Sequence, residues 1–159
     1  MKFILQIIFI LAISQVSPAG PFVSGGLPDS PSAICEIQAH GLLTTGQSPE
    51  GRVPLCTIAG ATIEYWTLFR VIKFGQTTMA SNAFINHQVS TIAGNVSIEE
   101  LHSAYCKAIG GNPLTYRNAH NIPFGMCVFP DSSSIDQHTM LVGPTVYSSL
   151  HFILIYHQN

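Results

Sequence analysis

The chain has 159 residues, of which 47% are hydrophobic and only 9% charged, and its formal net charge is −2. Its few Lys and Arg residues form no stripe, which argues against a nucleic-acid partner, since that needs clustered cations to displace counterions. A chain this apolar can bury enough surface to offset chain entropy, which argues against disorder.

Residues 1–19 read as a secretory signal. Lys2 supplies the positive start, Phe3 to Ile13 is apolar apart from Gln6, and Ser17, Pro18 and Ala19 precede a cut after Ala19. The apolar run falls short of the roughly 20 residues that cross a bilayer, which disfavours a membrane anchor. Cleavage would leave Arg52, Arg70, Lys73, Lys107 and Arg117 against eight acidic residues. Residues 20–29, rich in Gly and Pro, form a leader loop.

The rest of the chain reads as one small unit written twice. Cys35 and Cys56 are 21 positions apart, as are Cys106 and Cys127, and the second pair follows the first by 71 positions. Ser32 to Cys35 (Ser-Ala-Ile-Cys) returns as Ser103 to Cys106 (Ser-Ala-Tyr-Cys). Ile63 to Leu68 (Ile-Glu-Tyr-Trp-Thr-Leu) returns as Ile135 to Met140 (Ile-Asp-Gln-His-Thr-Met). The predicted fold class is α+β, as two tandem related modules, 30–75 and 97–143. Each is a helix, a β-hairpin and a short helix with one disulfide.

Module one opens at Ser30 and Pro31, with a helix from about Pro31 to Ala39 that stops at Gly41. Its hairpin pairs Leu42–Thr45 with Val53–Ile58 around a turn at residues 48–51. A tight turn at Ala59 and Gly60 precedes a helix capped by Thr62, in which Ile63, Trp66 and Phe69 have helical spacing. A strand is the competing reading of that segment, because Ile, Tyr, Trp and Phe also suit sheets. Gly75 ends the module.

Residues 76–96 are a polar linker with a short strand around Ala83–Val89. The sequence Asn95-Val96-Ser97 within it is a glycosylation sequon, an acceptor if the host is a eukaryote. Module two opens with a capping box at Ser97 and Glu100, and its helix runs from about Ile98 to Ile109 before Gly110 and Gly111. Its hairpin pairs Leu114–Arg117 with Phe124–Phe129. A turn at residues 130–132 and a helix capped by Ser134 lead to Gly143. The apolar segment 144–159 reads as a final strand or core segment. A lipid-anchor signal is the rival reading, and His151 and the polar end at His157 argue against it.

In a secreted chain an even cysteine count is read first as disulfides, and four cysteines allow three pairings. The duplication favours Cys35 with Cys56 and Cys106 with Cys127, since each module must have folded alone before it was copied. Closing a loop of this length removes roughly 3 kcal/mol of unfolded-state entropy on the usual account.

Tyr105 and Cys106, then Gly110 and Gly111, then residues 125–133 (Gly-Met-Cys-Val-Phe-Pro-Asp-Ser-Ser) resemble the small secreted proteins of domain of unknown function 333. Glu64, Tyr65 and Trp66 supply that family's acidic and Trp end in module one. The likeness covers about 40 residues of each copy. Two further cysteines usual in the family have no counterpart here, and His138 stands where its Trp would be. The resemblance implies an exported, disulfide-bearing α+β domain with no established catalytic residue. Some members carry a hemolysin label.

Candidate chemistry is thin. The seven histidines are His40, His87, His102, His120, His138, His151 and His157, with no two at the three- or four-residue spacing of a zinc site. They read as scattered loop or core residues, so no metal or cofactor is expected. A cysteine nucleophile with His40 or His138 as base is the enzyme reading, but two equivalent pairs suit disulfides better. Glu99 and Glu100, like Glu64 and Asp136, are expected in first helical turns, where they complement the helix dipole. The leading expectation is therefore a secreted, non-enzymatic binding or structural protein. Its partner would be an extracellular protein or surface ligand, with no membrane contact beyond the signal. A protease-inhibitor-like or hemolysin-like module and a small hydrolase are the alternatives.

Overall fold

The computed structural model describes residues 30–87 and 97–158. The expected signal, the leader loop and the sequon at Asn95 lie outside them.

A single π-helical turn, Ala33–Gln38, leads into strands β1 (Leu42–Ser48), β2 (Gly51–Ile58) and β3 (Ala61–Glu64), then helix α1 (Tyr65–Phe74). Helix α2 (Met79–Ile85) follows. The second half runs through α3 (Ile98–Ala108), β4 (Asn112–Arg117), β5 (Pro123–Val128), β6 (Ser134–Asp136) and α4 (Gln137–Val142). Helix α5 (Ser148–Tyr156) comes last among the described elements.

Both hairpins form. β1 pairs with β2 from Leu42↔Thr57 to Ser48↔Gly51, and β4 with β5 from Asn112↔Val128 to Arg117↔Pro123. The expected pair of separate modules does not. All six strands form one closed antiparallel barrel in the order β1-β2-β3-β6-β5-β4. The halves join where Ile63 pairs with Ile135 and where Gln47 pairs with Arg117.

The reason lies in β3 and β6. The sequence reading started a helix after Thr62 and Ser134, but those residues belong to strands, and the helices begin at Tyr65 and Gln137. Glu64 and Asp136 are consequently not in a first helical turn. They are the N-caps: Glu64 accepts from the Trp66 and Thr67 amides at 3.0 Å, and Asp136 from the Thr139 amide at 2.8 Å. Each hairpin thereby gains a third strand with an open edge, and each edge finds its partner on the other half.

Side-chain hydroxyls lock this junction reciprocally. The Ser134 amide donates to Thr67 Oγ1 at 2.8 Å, and the Thr62 amide donates to Thr139 Oγ1 at 3.0 Å. Thr67 and Thr139 occupy matching places in α1 and α4, so each half supplies the acceptor that the other half's short strand needs.

Strand alternation divides the apolar residues into two sets. Outward-facing Cys56, Ile63, Cys127 and Ile135 pack under the helices with Ile34, Leu68, Phe84, Tyr105, Leu150 and Leu154. Inward-facing Leu55, Tyr116 and Met126 fill the barrel. The larger core draws on both halves, on α2 and on α5. The segment read as a linker with a strand therefore carries a helix, fixed by a reciprocal Thr78–Ser81 cap, whose Ala80 and Phe84 are fully buried. Of the two readings of the C-terminal segment, strand or core segment, the strand is replaced by a helix that packs into the core. Residues 148–156 are helical, with Leu150 and Leu154 in the core.

Cys35 bonds to Cys56 and Cys106 to Cys127, with Cα–Cα separations of 5.6 Å in both. Each bridge ties the helical turn before a hairpin to its returning strand. The chain must pass close beside the sulfurs to enter the hairpin, and a glycine stands at each crossing. A Cβ on Gly41 would lie 2.7 Å from Cys56 Sγ, and a Cβ on Gly111 would press on Cys127 Sγ. The Gly111→Ala variant is expected to lose about 1–3 kcal/mol through overpacking. A lower urea midpoint checks it, and an unchanged midpoint contradicts the close approach. Thr67→Val keeps the shape but leaves the buried Ser134 amide unpaired, at a cost of about 1–3 kcal/mol. Hydrogen exchange should report lost protection at Ser134.

Candidate functional site

The barrel interior is polar at one mouth. With Ile63 and Ile135 facing outward, alternation turns Thr62, Glu64, Ser134 and Asp136 inward. Thr57 and Thr62 are cross-strand partners whose hydroxyls hydrogen-bond at 3.0 Å. Together with Thr44, Thr45 and Asp136 they line a cavity of about 580 Å³ over Leu55 and Phe124. Residues Asn118, Ala119 and His120 of the β4–β5 loop form its rim. Asn118 fixes that loop by accepting from the His120 and Ile122 amides at 2.9 and 3.0 Å, and Arg117 Nη1 donates to the Asn121 carbonyl at 2.9 Å.

Both caps sit in low-dielectric surroundings. Burial pushes the Glu64 carboxyl above its ordinary value, against the Trp66 and Thr67 donors that favour the charged form. Thr67 Oγ1 donates to Glu64 Oε2 at 3.1 Å, so its hydroxyl links the Glu64 carboxyl to the Ser134 amide. Tyr116 reports the same interior. Burial raises its phenol, and the charges of Glu64 and Glu50 raise it further. Asp136 is also pushed up by burial, countered by Thr139 and by the nearby His138 and His102.

A second, larger cavity of about 670 Å³ is a groove between α5 and the β2–β3 turn, lined by Ile58, Phe152, Ile153 and Tyr156 with His40 and His157. Gln38, Ser148 and Ser149 also line it, and the barrel mouth differs in adding an acidic residue, Asp136, to its hydroxyls.

The other singled-out residues fall as follows. All four cysteines are consumed in disulfides, so neither His40 nor His138 has a thiolate to activate. Glu100 and Ser97 form the expected reciprocal cap, with Ser97 N to Glu100 Oε2 at 2.9 Å. Those bonds from Ser97 hold the Glu100 carboxyl below its usual range. His87 lies under Gly143 with its Nε2 2.9 Å from the Leu141 carbonyl, and His151 stands edge-on to Phe84. His102 and His138 meet, which their distance in sequence hid.

The turn after β5, which carried the family resemblance, has a packing role. Asp131 Oδ2 accepts from the Met79 amide at 2.8 Å and Ser133 Oγ from the Ala80 amide at 2.9 Å, capping α2 from outside. Arg70 Nη1 donates to the Asp131 carbonyl at 3.0 Å. Sequence reasoning missed Thr44, Thr57 and Thr62. The signal was the alternation of Val53, Leu55 and Thr57 with Pro54, Cys56 and Ile58 along β2.

A buried carboxyl raised in the folded state contributes stability in its protonated form. That contribution is present below the unfolded value and is lost as pH rises through the folded one. Glu64→Gln with Asp136→Asn should therefore gain stability relative to the parent as pH rises above the ordinary carboxylate range. Thermal unfolding across that range checks it, and a difference independent of pH contradicts it. Asp131, held low chiefly by Ser133 and Met79 donors working against its burial, acts in the opposite sense and is common to both proteins.

No protein family, curated protein or solved structure matches this chain, so its functional reading rests on the geometry of the barrel mouth.

Proposed function

We propose that the protein acts outside the cell as a non-catalytic binding protein whose barrel mouth takes a small, hydroxyl-rich ligand of the carbohydrate class. The observation that carries this reading is the lining of the mouth. Four threonines and one aspartate line it together with an aromatic ring and a leucine. Hydroxyls and a carboxylate can exchange hydrogen bonds with sugar hydroxyls in both directions. The Phe124 face suits the apolar side of a sugar ring, and a cavity of this size belongs to the range of small-molecule sites.

Several features support the extracellular setting. The chain carries two disulfides, which persist in oxidising compartments. Among the described residues no helix is long and apolar enough to cross a membrane. The segment anatomy of residues 1–19 fits a cleaved signal. The likeness of residues 105–133 to domain of unknown function 333 points the same way. A binding role also suits a site whose one acidic residue, Asp136, caps α4, with every described cysteine oxidised.

Calorimetric titration of the full chain with glucose, galactose, mannose, N-acetylglucosamine and their disaccharides tests the proposal. At least one should bind saturably, and the Thr57→Val, Thr62→Val variant should weaken that binding by roughly tenfold, about 1.4 kcal/mol. Absence of saturable binding across the panel, or binding untouched by the double substitution, overturns it.

A further inference from the structure

His102 on α3 and His138 on α4 are 36 residues apart, yet His138 Nδ1 lies 3.4 Å from His102 Nε2, with ring centroids 5.3 Å apart. His138 is exposed and His102 half-buried, so an ion from solvent can reach the pair. Their nitrogen separation is informative. Two imidazoles bound to one tetrahedral zinc at about 2.0–2.1 Å stand about 3.3–3.4 Å apart, by the geometry of the tetrahedron. Adjacent square-planar ligands at the same bond length would stand about 2.9 Å apart. We propose that His102 Nε2 and His138 Nδ1 form a zinc-binding site on the α3–α4 face of the second half.

Two carboxylates, Asp136 and Glu99, act on His102. Burial and the His138 ring nevertheless hold the His102 imidazole below its ordinary value, against the pull of those two carboxylates. Asp136 is pushed up by burial, countered in part by Thr139, His138 and His102. Among the described residues no group of three or more His, Cys, Asp or Glu side chains is placed to hold a metal. The protein therefore supplies two ligands, and water completes the tetrahedron. In the metal-free protein the two nitrogens share one proton in a hydrogen bond. On binding, the ring that donates moves its proton to its other nitrogen and both lone pairs face the ion, so two neutral rings release no proton. The first half cannot build the same site, because Pro31 and Trp66 stand at the matching positions. Zinc should bind once per chain.

Titration of the metal-depleted full chain with zinc chloride, followed by calorimetry and by ring-nitrogen NMR, decides the matter. The expected result is one zinc per chain in the micromolar range, with the His102 Nε2 and His138 Nδ1 resonances moving together. His138→Gln, an exposed change, should weaken binding by roughly tenfold or more, while His120→Gln leaves it intact. Three results overturn the proposal: no saturable binding, binding that survives in the His102→Gln, His138→Gln protein, or zinc that shifts other histidine rings and leaves these two still.

Discussion

Two threonine hydroxyls hold the barrel shut. Thr67 on α1 accepts the Ser134 amide of β6, and Thr139 on α4 accepts the Thr62 amide of β3. Strands of three and four residues are too short to be stable on ladder bonds alone. Here each short strand is pinned by a helix of the opposite half. The single backbone pair Ile63↔Ile135 between them is enough once both flanks are fastened. The large core then follows, because this pairing places both isoleucines, both disulfides and the helices on one continuous outer surface.

The same junction makes the interior. Turning Ile63 and Ile135 outward forces their neighbours inward, and those neighbours are hydroxyls and carboxyls. A barrel filled wholly by apolar side chains would have no polar mouth. This one has Leu55, Tyr116 and Met126 at its centre and Thr57, Thr62 and Asp136 at one end. Asp136 serves both sides, since it caps α4, borders the cavity and lies within electrostatic reach of His102 and His138. The cap of a six-residue helix thus connects the candidate sugar site to the candidate zinc site.

What the sequence disclosed was local. The hairpins, the Ser97–Glu100 cap and the cysteine pairs are all encoded within about 20 positions, and all are present in the fold. What it concealed was pairing at a distance. Ile63 and Ile135 begin segments whose apolar spacing suits a helix, and a strand of three or four residues is too short for alternation to register. Helix α2 lies in a stretch that reads as a polar linker, with a short strand only around Ala83–Val89, because Ser, Asn and a few apolar residues give no strong period. Its fold comes from Thr78, Asp131 and Ser133, two of them more than 50 positions away. The last helix, rich in Phe, Ile and Tyr, has β-like composition and is helical through burial of Leu150 and Leu154. No local pattern joins His102 to His138, because only the closure of the barrel brings α3 beside α4.

One arrangement of covalent bonds has a consequence for how copies of this chain can associate. Each sulfur bridge closes within its own half, so the peptide chain between the halves is their sole covalent connection among these bridges. Every contact that completes the barrel, at Ile63 with Ile135, at Gln47 with Arg117 and at the two threonines, is non-covalent. Two molecules could therefore trade halves and rebuild two full sets of six strands without reducing a single cystine. Such an exchange would leave both bridges intact in each molecule.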